Sequence, residues 1–117
     1  PKDHPLAQTE GLRLSDFSQE PFLELASGEC RMVSRLMHEC CQQAGFEPKV
    51  IVCPDLNAQL FALETGLGVM ALNRNHMACN NPGLVAKAVP GLPPGDFCAA
   101  WHQANPNPAL PLFLARL

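Results

Sequence analysis

Apolar residues recur at spacings of three and four along one early segment of the chain, between Val33 and Ala44. This period places them on one face of an α-helix. Ser27 is a suitable N-cap for that helix, and Glu29 would lie in the first turn, where a carboxylate interacts favourably with the helix dipole. Gly45 is placed to adopt the left-handed conformation that ends a helix. We therefore predict a helix that begins after Ser27 and ends at Gly45.

Short apolar runs lie on both sides of this helix. Residues 22–25 form the first run. Residues 50–53 form the second, which is rich in β-branched side chains and typical of a strand buried on both faces. Leucines at spacings of four, three and four then predict a second helix that begins near Asp55 or Asn57 and ends at Gly66.

Weaker signals follow along the rest of the chain. Strands and helices that alternate with connections of a few residues are typical of right-handed βαβ crossovers and a mostly parallel sheet. The fold class is therefore α/β. The remaining predicted elements are a helical turn over residues 14–17 capped by Ser15, a third strand over 69–72, an irregular connection over 74–83 with one helical turn, a short strand over 84–89, a strand over 97–101, and a last helix starting near Pro108 or Pro111.

Three loops follow the predicted strands at their carboxyl ends, over residues 26–29, 54–57 and 73–74. In a parallel sheet these ends lie at one edge, where ligands bind and where helix N-termini direct free N–H groups toward them. Small or polar residues dominate all three loops. The candidate ligand-binding residues are Ala26, Ser27, Gly28, Glu29, Pro54, Asp55, Leu56 and Asn73.

The same loops also have a purely structural interpretation. Ser27 and Asp55 are then only helix caps, and Arg74 is only a solvated surface charge. On spacing alone this interpretation is the stronger of the two.

Composition narrows the class of protein. A chain of 117 residues fits one domain with a real core. Hydrophobic residues make up 47% and charged residues 16%, which indicates a folded, soluble protein whose apolar runs are too short for a membrane span. The formal charge is −3, and lysine and arginine form no cluster. This balance disfavours direct binding to a nucleic-acid backbone.

The six cysteines do not have the pattern of a disulfide scaffold or a zinc site. Most lie inside apolar periodic segments, no signal peptide begins the chain, and no Cys-x-x-Cys occurs. His76 and Cys79 have a metal-ligand spacing but lack a second pair. The adjacent Cys40 and Cys41 would strain the backbone if bridged. We therefore expect reduced core thiols, a cytoplasmic location and no metal.

Signatures of catalysis are equally sparse. The chain has no phosphate-binding loop, no dinucleotide-binding glycine motif and no nucleophile elbow. His38 has no recognisable acid partner, and no nucleophile has a base beside it. We expect a protein that is not an enzyme and that uses no cofactor.

The order of short motifs along nearly the whole chain resembles the effector-binding domain of LysR-type transcriptional regulators. Each motif is weak alone, whereas their order and spacing together are fairly specific. The motifs are His4-Pro5-Leu6-Ala7, Leu14-Ser15-Asp16-Phe17, Glu20-Pro21-Phe22, Ala44-Gly45-Phe46-Glu47-Pro48, Thr65-Gly66-Leu67-Gly68-Val69, Ala100-Trp101-His102 and Phe113-Leu114-Ala115-Arg116-Leu117.

This resemblance implies a lobe of a two-lobed domain similar to periplasmic binding proteins, with three layers and a mostly parallel mixed sheet. The chain would be a fragment without the family's DNA-binding helices. Residues 1–11 would be the loop leaving the hinge, residues 12–95 the second lobe, and residues 96–117 the returning hinge strand and a C-terminal helix of the first lobe.

The resemblance also implies partners. Family members bind a small effector, often an organic acid or aromatic metabolite, between the lobes, and its occupancy changes how a homo-oligomer sits on promoter DNA. The implied wall of the cleft includes residues 26–29 and 54–57. One departure is Asn73, where the family usually has proline. The alternatives are a lobe of a solute-binding protein for transport, which shares the fold, and a small α/β enzyme.

The charge distribution yields a first testable prediction. We expect this chain alone to show no salt-sensitive, sequence-specific binding to DNA from the regulated promoter, because it has no basic cluster to neutralise phosphates. Fluorescence anisotropy on labelled duplexes at about 0.15 M salt measures this, with the longer protein as the positive control. A dissociation constant in the range of roughly 10⁻⁸ to 10⁻¹¹ M, typical of specific binding, would contradict the prediction.

Overall fold

A computed structural model describes residues 1–26, 31–92 and 100–116. Within these residues, two strands and two α-helices alternate, a third α-helix follows later, and short 3₁₀ helices lie in the connections. The strands and α-helices are β1 (Pro21–Leu25), α1 (Arg31–Gln43), β2 (Lys49–Cys53), α2 (Leu56–Glu64) and α3 (Ala109–Leu114), and the 3₁₀ helices are Pro5–Gln8, Leu14–Phe17 and Met77–Asn80. The expected alternation of strand and helix is confirmed from β1 to α2.

The sheet is parallel, as the alternation predicts. β1 pairs with β2 over five residues, from Pro21 opposite Lys49 to Leu25 opposite Cys53. On the other side of β1, Val69 forms a single parallel bridge to Phe22. β1 is therefore the central strand of the described residues.

Helices pack against both faces of β1, because successive side chains of a strand point in opposite directions. Phe22 packs with Met37 and Cys41 of α1 on one face. Leu23 packs with Cys53 and with Ala62 of α2 on the other. Phe22 and Leu23 are only 5% and 3% exposed, so β1 is buried on both sides.

β2 differs from the expectation that it is buried on both faces. Ile51 is 38% exposed and Val52 is 61% exposed. Among the described residues β2 pairs only with β1, and the buried clusters of α1 and α2 centre on Phe22 and Leu23. That prediction is wrong because β2 is the edge strand here, although its sequence has the apolar content of a central one.

The third predicted strand, over residues 69–72, is reduced to the bridge at Val69. Val69 donates to the Pro21 carbonyl and accepts from the Leu23 N–H, both at 2.8 Å. In a parallel ladder the next donor, the Ala71 N–H, would bond to the Leu23 carbonyl. That carbonyl instead accepts a buried hydrogen bond of 2.8 Å from the Gln59 side-chain amide. The side chain of α2 therefore occupies the position at which the third strand would have continued.

Helix ends follow the sequence signals closely. Asp55 is the N-cap of α2, and its carboxylate accepts from the Ala58 N–H at 2.9 Å. Gly45 and Gly66 adopt φ values of 91° and 76° after α1 and α2, as predicted for residues that end helices. Ser27 and Glu29, predicted at the start of α1, lie outside the described residues.

The 3₁₀ helix Leu14–Phe17 forms where a helical turn was predicted, but Ser15 does not cap it. The N-cap is Arg13, and the Asp16 carboxylate accepts from the Arg13 N–H at 2.7 Å. A carboxylate at the third helical position reaches back to the N-cap amide, which a serine inside the turn does not do here. The predicted cap at Ser15 is therefore wrong.

The later predictions have mixed outcomes. The helical turn expected within residues 74–83 is confirmed as Met77–Asn80, and α3 begins after Pro108 with Pro111 in its first turn, as predicted. Residues 84–89 form no strand, so that prediction is wrong; residues 85–88 are exposed and make no ladder with the described strands. Of the strand predicted over residues 97–101, the first three residues lie outside the described chain, and Trp101 is irregular and 49% exposed.

None of the helices within residues 1–26, 31–92 and 100–116 has the length and apolar character needed to cross a membrane.

The hydrogen bond from Gln59 yields a stability prediction. We expect Gln59→Leu to lower the free energy of unfolding by about 1–3 kcal/mol, because the buried Leu23 carbonyl loses its side-chain donor. Urea denaturation measures the change. Gln43→Leu is the matched control at an exposed position, expected to change stability by less than about 0.5 kcal/mol. An effect of Gln59→Leu no larger than that of the control would contradict the assigned role.

Candidate functional site

The loops after β1 and β2 leave the same edge of the sheet side by side. Leu25 pairs with Cys53 at the last position of the ladder, and the Ala26 N–H donates to the Cys53 carbonyl at 2.9 Å. Ala26 and Pro54, the first residues of the two loops, are both exposed. The structure thus brings together the starts of two of the three loops at which the sequence predicts a ligand.

The N-terminus of α2 opens at this edge. The Asp55 carboxylate is engaged by the Ala58 N–H, and the Asp55 carbonyl accepts from the Gln59 N–H at 3.0 Å. Within the described chain no acceptor is bonded to the N–H groups of Leu56 and Asn57. The capping interpretation of Asp55 is therefore confirmed, and two free N–H groups remain at the positive end of the helix dipole.

The third loop is arranged differently. Asn73 folds into a turn in which its side-chain oxygen accepts from the Asn75 N–H at 3.1 Å and its carbonyl accepts from the His76 N–H at 3.0 Å. None of its described hydrogen bonds joins it to the loops after β1 and β2. Since the chain leaves the ladder after Val69, pairing with β1 does not hold Asn73 at the strand ends. The role predicted for Asn73 stays a prediction.

Ser27, Gly28 and Glu29 lie outside the described residues, so their predicted role in binding stays a prediction as well. The described candidates are Ala26, Pro54, Asp55, Leu56 and Asn73.

The cysteines near the sheet have the character of core thiols. Cys41 is completely buried, and burial raises the pKa of its thiol to about 11, with smaller contributions from Cys40, Glu47 and Glu24. A thiol with so high a pKa is protonated at neutral pH and is a poor nucleophile or metal ligand. Within residues 1–26, 31–92 and 100–116, no three or more His, Cys, Asp and Glu side chains are grouped in a way that would hold a metal ion.

One feature of the described chain has no counterpart in the sequence analysis. A pocket of about 170 Å³ is lined by the N-terminal segment, residues 68–72 and residues 84–92, together with Leu63 of α2 and Ala78. None of the five described candidates lines it. Its lining residues come from separate parts of the chain between Pro1 and Leu92, so no local motif indicates it.

The described chain contains a parallel β–α–β unit whose second strand ends beside a helix N-terminus, which is the architecture of an α/β protein. A family model described as the LysR substrate binding domain matches residues 1–117. The chain therefore belongs to the LysR substrate-binding domain family. Comparison with curated proteins and with solved structures gave no match.

Membership in the family confirms the resemblance that the motif order indicates. Domains of this family have a periplasmic-binding-protein-like α/β fold and belong to transcription regulators of the LysR type. The match does not favour the alternative of a transport protein. The regulators that carry such domains are generally not enzymes.

The Asp55 cap yields a prediction about stability. We expect Asp55→Ala to lower the free energy of unfolding by about 1 kcal/mol, because the Ala58 N–H loses its acceptor. Asp55→Asn is the matched control, and should stay within a few tenths of a kcal/mol because asparagine caps equally well. Thermal unfolding followed by circular dichroism measures both. Equal stability of Asp55→Ala and the native protein would show that this cap does not hold the end of α2.

Proposed function

We propose that this chain is the effector-sensing part of a LysR-type transcription regulator and binds a small anionic metabolite in a cleft between two lobes. The observation that carries the proposal is the family match over residues 1–117. The alternative, a lobe of a solute-binding protein for transport, lacks comparable support. The proposal includes no catalytic step and no cofactor.

The geometry at the carboxyl ends of β1 and β2 supports this site. Ala26 and Pro54 lie beside each other, and the N–H groups of Leu56 and Asn57 are open to an acceptor. A carboxylate bound there would gain two donors and the favourable end of the helix dipole. The Asp55 carboxylate accepts from the Ala58 N–H, which leaves the Leu56 and Asn57 N–H groups for the ligand. In this proposal, the loop of Ala26, Ser27, Gly28 and Glu29 forms the neighbouring wall.

The architecture proposed for the longer protein explains the acidic balance of this chain. The formal charge of −3 suits a sensing domain, with the basic surface on a separate DNA-binding domain. Residues 12–95 would form the three-layer second lobe around a mostly parallel sheet, residues 1–11 its entry from the hinge, and residues 96–117 the return to the first lobe. The working form would be a cytoplasmic homo-oligomer, a dimer or tetramer.

Regulation would proceed by a shift of populations. An effector that binds the closed arrangement of the two lobes more tightly than the open one stabilises the closed arrangement. The oligomer would then favour one of two arrangements on promoter DNA. The free energy of this shift could be no larger than the difference in effector binding free energy between the two arrangements.

The loop after β1 offers the sharpest test. In the longer regulator, we expect Ser27→Trp to raise the effector concentration required for the transcriptional response by about tenfold or more, because a bulky side chain in the wall would block the cleft. A promoter-reporter assay across a panel of small organic carboxylates measures this.

Ser15→Trp is the matched control, since Ser15 is exposed in the 3₁₀ helix Leu14–Phe17, away from the strand ends. Promoter binding without effector should be unchanged in both variants. A Ser27→Trp variant that keeps the full response at unchanged effector concentration would remove this loop from the site.

A further inference from the structure

The pocket described above is bounded by apolar side chains almost throughout. The N-terminal segment contributes Leu6 and Leu12. Residues 68–72 contribute Met70 and Leu72, and residues 84–92 contribute Leu84 and Val89. Its volume is about 170 Å³. Leu63 of α2 and Ala78 complete the lining, so the pocket lies where several separate parts of the chain meet.

The polar side chains in the lining have little to offer a ligand. Both ring nitrogens of His4 are occupied: Nδ1 accepts from the Leu6 N–H at 3.2 Å, and Nε2 lies 3.4 Å from a Glu20 carboxylate oxygen. Because Nδ1 accepts, the proton lies on Nε2 and is directed to Glu20. Lys87 belongs to an exposed stretch, where its ammonium group stays in water. A ligand in this pocket therefore meets mostly apolar side chains, and its own charge would have no buried side-chain partner.

These features define the class of occupant. Water in an apolar pocket makes few hydrogen bonds, so an apolar molecule displaces it favourably. An apolar cavity of roughly 150 Å³ admits one benzene molecule, so a pocket of about 170 Å³ fits a single six-membered ring. We infer that this pocket is a second binding site, which takes a compact, uncharged, single-ring molecule.

This site is independent of the one proposed for the effector. Its lining shares no described residue with the edge where Ala26, Pro54 and Asp55 lie. The two sites also differ in chemistry, because free backbone donors suit an anion at the strand ends whereas hydrocarbon lines the pocket. The inference therefore does not rest on the proposed function.

Benzene is the probe for the test. We expect saturable binding of one benzene per chain, with NMR shift changes at Val69, Ala71 and Leu72 that follow one binding curve. Ala86 lines the pocket from an exposed stretch, so Ala86→Leu should fill it from the rim without disturbing the core. We expect that variant to weaken benzene binding by about tenfold or more.

Ala88→Leu is the matched control, because Ala88 is exposed and two residues away but does not line this pocket. Its benzene affinity should stay within about twofold of the native value. Ala71→Leu reduces the pocket at another lining position, and its benzene affinity is measured in the same way. Thermal unfolding confirms that each variant is folded.

Three results would overturn the inference. They are the absence of saturable benzene binding, an undiminished affinity in folded Ala86→Leu, and tighter binding of benzoate than of benzene at the same residues. The last result would mean that the site selects a charge, contrary to the chemistry of its lining.

Discussion

The side-chain amide of Gln59 donates a buried hydrogen bond to the Leu23 carbonyl, in the middle of β1. It ties α2 to the central strand and occupies the acceptor that a third strand would need after Val69. One polar residue among mostly apolar neighbours therefore both links α2 to the sheet and fills the acceptor at which a third strand would have continued. This hydrogen bond stabilises the fold because a buried carbonyl without a donor is costly.

The positions of the two candidate sites follow from how far each neighbouring segment stays paired with β1. At the carboxyl ends, β1 and β2 stay paired to Leu25 and Cys53, which holds their loops together beside the N-terminus of α2. Beyond Val69 the chain is released from the ladder, and the apolar side chains that follow line a pocket with the N-terminal segment. A continued third strand would have used those residues in the sheet. The pocket is thus the structural counterpart of the shortened ladder.

Local sequence signals predicted the elements whose cause is local. The helical period around Met37 and Cys41, the Asp55 cap and the glycines after α1 and α2 all act within a few residues. The third strand ends where Gln59 bonds to Leu23, a residue 36 positions away, so the periodicity of residues 69–72 carries no trace of this contact. The juxtaposition of Ala26 and Pro54 followed from parallel pairing alone, whereas the pocket needs several separate parts of the chain at once.

The contrast between two neighbouring thiols provides a way to measure local opening of the core between α1 and β1. Cys40 is partly exposed, while Cys41 is wholly buried with a thiol pKa of about 11. Alkylating reagents attack thiolates. In the folded protein they therefore modify Cys41 only when α1 separates from β1. The rate at which Cys41 is labelled, relative to Cys40 on the same helix, reports the fraction of time that this part of the core is open.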